Sequence, residues 1–180
     1  MNKEKNLVWI DLEMTGLEVS QHVIIEIATI ITDGQLKEIA QGPHLVIHYP
    51  QEQLANMNDW VKKVHGKSGL LDEVAQSKVT LAQAEKQTLD FIKEHCIEKK
   101  ALLAGNSVWN DRIFLEKYMP SIIDFLNYRL VDVTSIKEVL ARWYEGDERV
   151  FFKKSDTHRA LQDIRESIEE LKNYREYFFI

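Results

Sequence analysis

A single cysteine, Cys96, is all the chain has. No disulfide can form within it, and no cage of thiolates can hold a metal. Proline and glycine are scarce, three and seven among 180 residues. That argues against a long flexible linker and for one domain, expected over residues 6–176. No run of about 18 apolar residues is present to cross a membrane. The opening stretch, Met1 to Asn6, is polar and mixed in charge, without the apolar core of a secretory leader. Together these absences favour the cytoplasm. Positive charge is also short: the formal net charge is −6. A protein that grips long duplexes needs a basic surface, so that class is disfavoured. Short nucleic acids are not, because a carboxylate site is acidic only until a metal loads it.

The apolar patterning is that of a soluble α/β domain. Leu7 to Ile10 continues through Asp11-Leu12-Glu13 as a largely buried strand and ends in the turn Met14-Thr15-Gly16. Val23 to Thr32 is a long β-branched run closed by Asp33-Gly34, a hairpin signal. A return strand is expected over Leu36–Ala40 and Leu45–His48. The pattern after Pro50 is helical but irregular, broken at Gly66 and Gly69. Thr80 and Gln83 form a capping box for a helix to about Cys96, with Leu81, Ala84, Thr88, Phe91 and Ile92 on one face. Beyond it, short strands at Ala101–Ala104 and Arg129–Val133 alternate with helices to Tyr118 and over about Ser135–Tyr144. A last helix is expected from near Thr157 to about Tyr174. Strands in a meander, then strands separated by helices, predict a mixed sheet with helices packed on it.

The chemistry lies in carboxylates. Asp11 and Glu13 are two apart on a strand, so they share a face. Two acids side by side repel unless a cation sits between them, and oxygen ligands suit Mg²⁺ or Mn²⁺. A solvated strand end is the bland alternative. Asp111 follows the turn Gly105-Asn106-Ser107 near a helix start, where an acid also complements the helix dipole. Asp163 borders the apolar stripe Leu161, Ile164, Ile168, Leu171, with small Ala160 and Ser167 beside it. Those small residues would let the helix approach a site closely. His158 precedes Asp163 by five residues, about 140° away on an ideal helix, so the two share a site only if the backbone turns at the helix entry. An imidazole there suits a general base. Taken singly, each residue also has an ordinary structural explanation.

Their order and company carry more. Trp9 to Leu17 with Ile24 to Thr29, then Gly105 to Asp111, then His158 to Ser167 resemble the three motifs of the DEDD exonuclease superfamily in its histidine-containing branch. Within that branch, Asp11–Leu17, Phe114–Pro120, Tyr128-Arg129 with Asp132-Val133, and Asp163–Ser167 are similar to the oligoribonuclease family, and the likeness runs from about Asn6 to Tyr174. The resemblance implies a ribonuclease H-like α/β fold. It implies two divalent cations, Mg²⁺ or Mn²⁺, held by Asp11, Glu13, Asp111 and Asp163, with His158 as general base. The reaction implied is 3′→5′ hydrolysis of very short single-stranded RNA to nucleoside 5′-monophosphates, by a homodimer. By the same likeness, Leu17 and Trp60 stack on bases. Ser107, Arg129 and Thr134 cap the 5′ phosphate, and Tyr128 reaches in from the other subunit. Two positions depart from the family pattern: Trp109, where a small or polar residue is usual, and Thr134, where serine is common.

Three rivals remain at this level. A DNA-directed exonuclease of the same superfamily would share the acids but not the Tyr128-Arg129 and Met14–Leu17 stretches. A haloacid-dehalogenase-like phosphatase would need an aspartate where Glu13 stands. A silent binding module would need no complete acid set.

Overall fold

The computed structural model describes residues 3–155 and 158–179. Among them, β1 (Leu7–Met14), β2 (Ile24–Thr32), β3 (Glu38–Val46), β4 (Leu102–Gly105) and β5 (Leu130–Asp132) form one sheet in the order β3-β2-β1-β4-β5. The first three strands are the expected antiparallel meander. β4 runs parallel to β1, and β5 parallel to β4. The α-helices among the described residues are α1 (Gln51–Leu54), α2 (Asp59–Lys67), α3 (Leu70–Gln76), α4 (Leu81–His95), α5 (Trp109–Tyr118), α6 (Pro120–Phe125), α7 (Val133–Trp143) and α8 (Ala160–Phe178).

Strand alternation sorts the core. Val8, Ile10 and Leu12 enter one cluster with Ala84 and Ile92 of α4, Phe114 and Leu115 of α5, and Ile122 of α6. Trp9 enters the opposite cluster with Val133 and Leu140 of α7 and Ala160, Ile164, Ile168 and Tyr174 of α8. Helices therefore cover both faces, and all nine residues of β2 are buried, which is why its sequence is a nearly unbroken apolar run. The Trp9 indole N–H donates to Thr32 Oγ1 at 2.9 Å, so the largest buried ring is also satisfied. The capping box is formed on both sides: Gln83 N–H donates to Thr80 Oγ1, and Thr80 N–H to Gln83 Oε1.

The structure differs from the sequence expectation in four places. The return strand is one element, Glu38–Val46, because pairing to β2 carries it through Gly42-Pro43 with register shifts; Gly42 lies so close to the Phe91 ring that a Cβ would collide with it. Gly66 lies inside α2 rather than ending it, and Gly69, at φ 77°, opens α3 instead. Met119 ends α5, but Pro120 starts α6, since proline needs no N–H partner in a first helical turn. The last helix begins at Ala160 and reaches Phe178; Thr157, its expected start, lies outside the described residues.

Candidate active site

Because Ile10 and Leu12 point into the α4–α6 cluster, Asp11 and Glu13 must point toward α8. Asp163 meets them from the first turn of α8. The buried Ala160 and Ser167 flank it, and Ser167 Oγ donates to the Asp163 carbonyl at 2.7 Å. Asp11, Glu13 and Asp163 each offer a carboxylate oxygen, and these atoms all lie within 4.8 Å of one another. Asp111 joins from the first turn of α5. It is buried, and its Oδ1 accepts the Leu12 N–H at 3.0 Å. Asp111 therefore borders β1 from the side but stands outside the tight triplet.

These carboxylates are hard to ionise without a counterion. Burial, then repulsion from Asp163, Glu26 and Asp111, pushes Glu13 up to about 8, and Arg159 offsets only part of it. Burial also raises Asp111 to about 8, against the pull of the Leu12 N–H. Asp163 rises to about 6, through burial first and Glu166 second, with His158 and Lys154 pulling it down. Asp11 is held well above the usual carboxylate range by burial and by Asp111, Glu13 and Asp163. The converging acids form an all-oxygen donor set of the kind hard divalent cations take. The donor set fits such ions.

His158 stands one residue ahead of the helix N-cap, with φ at 47°. It is therefore off the helical wheel, and the 140° separation expected on a regular helix does not apply. Its ring meets Trp60 edge-on at a centroid distance of 5.9 Å. Both line a cavity of about 700 Å³ with Lys63, Val64, Lys67, Ser68 and Arg159. Trp60 is 64% exposed, so it is not a core residue. Leu17, 71% exposed, lies on a separate cavity of about 340 Å³ walled by Trp109, Ile113 and Phe114. Trp109 thus forms part of a surface wall.

At the ends of β4 and β5 a second polar group assembles. Ser107 N–H donates to Thr134 Oγ1 at 2.9 Å and to Asp132 Oδ1 at 3.1 Å. Ser107 Oγ donates to Thr134 Oγ1 at 3.1 Å, and Thr134 Oγ1 to Asn106 Oδ1 at 3.0 Å. Ser107 and Thr134 are brought together. Arg129 instead lies with its guanidinium 4.9 Å from the ring of its neighbour Tyr128, which is 70% exposed.

A family model described as an exonuclease matches residues 8–171. An oligoribonuclease of Dichelobacter nodosus is 48% identical over 180 residues, covering 100% of this chain and 98% of that one. An oligoribonuclease of Pseudomonas aeruginosa is 48% identical over 178 residues, covering 99% and 98%. The chain belongs to the exonuclease family, among the oligoribonucleases. Exonuclease I from Methylocaldum szegediense shares its fold at a TM-score of 0.72 and 15% identity, over 96% of this chain and 41% of that structure. The zinc-bound complex of E. coli exonuclease I with single-stranded DNA gives 0.68 at 14% identity, over 97% and 41%. This chain spans about two fifths of those structures' length. The fold is the ribonuclease H-like α/β fold of these exonucleases, with Asp11 and Glu13 on β1 and Asp111 and Asp163 on α5 and α8.

Two more titratable residues stand beside the acid set. His65 is buried; its Nε2 lies 2.9 Å from the Met14 carbonyl and its Nδ1 3.9 Å from Glu13 Oε2. Burial lowers its pKa. Glu26, within the first motif stretch but given no role there, is a fully buried carboxylate opposite Glu13. Strand register sets Glu26 opposite Glu13, and the packing of α2 against the end of β1 sets His65, so spacing along the chain marks neither.

Proposed function

We propose that the chain is a 3′→5′ exoribonuclease that degrades very short RNA to nucleoside 5′-monophosphates, with residues 6–176 as one exonuclease domain. The observation that carries this is the convergence of Asp11, Glu13 and Asp163, with Asp111 alongside, in a chain that matches oligoribonucleases over its whole length.

In this reading the four acids hold two divalent cations, Mg²⁺ or Mn²⁺. When bound, these neutralise the charge that develops on the scissile phosphate and acidify the attacking water. His158, at the rim of the cluster, takes the proton from that water. Trp60 and Leu17, both largely exposed, stack on bases. Ser107 and Thr134, already joined by hydrogen bonds, receive the 5′ phosphate. Arg129 adds a guanidinium suited to phosphate oxygens. A capped 5′ end restricts the groove to short chains.

The same reading makes the protein a homodimer in the cytoplasm. Tyr128 is 70% exposed and its ring lies against the Arg129 guanidinium, placed as a residue serving a neighbouring subunit would be. Val139, Trp143, Tyr144 and Phe179 expose an apolar surface around a cavity of about 390 Å³; a contiguous apolar patch of that sort marks a protein contact. Among the described residues no helix is long and apolar enough to cross a membrane. The test is a direct comparison of short RNA with long single-stranded DNA at equal ends. Rapid loss of the short RNA with slow attack on the DNA supports the proposal. Efficient digestion of long DNA moves the chain to the DNA-directed alternative.

A further inference from the structure

His158 is held in a backbone conformation that a non-glycine residue seldom adopts, φ 47°. Such a conformation persists only where its surroundings over-determine it. The surroundings are visible. Arg159, immediately after the histidine, places Nε 3.0 Å and Nη2 2.9 Å from Oε1 of Glu26. The same guanidinium binds Glu73 of α3 through Nη1 at 2.7 Å and Nη2 at 2.8 Å. The helix that follows has no side-chain cap of its own. Its first N–H, that of Ala160, donates to Oε2 of Glu26 at 3.2 Å. His44 of β3 closes the remaining side of Oε1 at 2.5 Å. Glu26 is rigid in turn: no part of its side chain is exposed, and it lies on β2 directly opposite Glu13.

One carboxylate in the sheet therefore grips both the residue after His158 and the start of α8, which carries Asp163. A guanidinium with two carboxylate partners fixes orientation as well as distance, because its donors lie in a planar fork. We infer that Glu26 and Arg159 are positioning residues for His158: together they hold the left-handed turn that sets the imidazole against Trp60 and beside the carboxylate cluster. Glu73 closes this clamp from α3. The inference rests on the reading of His158 as general base.

The test is a double-mutant cycle on the full chain, with a dinucleotide substrate and saturating divalent metal. His158→Ala lowers kcat by about 10²–10⁴-fold. Arg159→Gln, which cannot bridge two carboxylates, lowers kcat by about ten- to a hundredfold through misplacement of the ring, with KM nearly unchanged. Combined with His158→Ala it causes no further loss. Arg159→Lys, able to reach one carboxylate, restores part of the turnover. Mn²⁺ binding, followed by calorimetry, is retained in each. Glu26→Gln is expected to act like Arg159→Gln but is buried, so half-exposed Glu73→Gln serves as the second variant, with a smaller loss of kcat. Equal loss from Arg159→Gln in the wild-type and His158→Ala backgrounds overturns the inference, as does unchanged kcat in Arg159→Gln. A raised KM with kcat kept makes Arg159 a substrate contact and overturns it too. Full turnover in His158→Ala instead sinks the general-base reading beneath it.

Discussion

Asp163→Asn should make the metal-free protein more stable at pH 8 while weakening its response to metal. The Asp163 carboxyl moves from 3.8 in its ordinary state to about 6 in the fold, through burial and then Glu166. A folded group that keeps its proton to higher pH than the unfolded one stabilises the fold below about pH 4. That contribution disappears as pH rises through about 6. Each pKa unit is about 1.4 kcal/mol; with some trimming for partial exposure, ionising Asp163 in the fold costs on the order of 2–3 kcal/mol at pH 8. Asparagine has the same shape and no charge, so it escapes that cost and also relieves Glu13, whose largest charge repulsion comes from Asp163. For a chain of this size the gain corresponds to roughly 4–12 °C in Tm. Thermal unfolding in chelator at pH 8 measures it, and the same scan near pH 4 should show the difference collapse to under about 1 kcal/mol. With Mg²⁺ or Mn²⁺ present the order should reverse, because metal stabilises only the state that binds it. An asparagine variant that melts at or below the wild type at pH 8 in chelator would refute the account of the cluster.

Other consequences are simpler. Trp60→Ala should raise KM for a dinucleotide about tenfold, from a stacking contribution of about 1–3 kcal/mol per base. It should leave Tm nearly unchanged, since the ring is 64% exposed; steady-state kinetics beside a melting curve checks both. Thr80→Ala breaks a capping box with both bonds formed, at about 1 kcal/mol by denaturant titration. Ile164→Ala opens the core under α8 beside Trp9 and should cost about 2–5 kcal/mol. In the wild type without metal, Tm should fall as pH rises from about 5 to 8, because Glu13 and Asp111 hold their protons to about 8; added divalent cation should remove that fall.

Much of the fold was legible because its signals are local. The alternation through Trp9, Asp11 and Glu13, the β-branched run of β2 and the Thr80–Gln83 box each fix an element by physics within a few residues. α3 and α6 were not legible: α3 begins only because Gly69 turns left-handed, and α6 because Pro120 tolerates the first turn. Asp11 and Glu13 were placed on one face by strand period alone, and Asp163 by its small neighbours. The meeting of His158 with Trp60 was not, since it depends on a backbone turn at φ 47°. The contacts of Glu26 and His65 have no local signal either, as their partners lie 133 and 51 residues away.

The central claim is a metal-dependent site that favours very short RNA, and it meets its most direct test in a time course on 5′-labelled RNA. Chains of about two and about seven nucleotides are compared with Mg²⁺ and with chelator, the expected cations acting through carboxylates alone. The account predicts fast, metal-dependent cleavage of the dinucleotide and slower loss of the longer chain. Efficient processing of the longer chain with the dinucleotide left intact would contradict it.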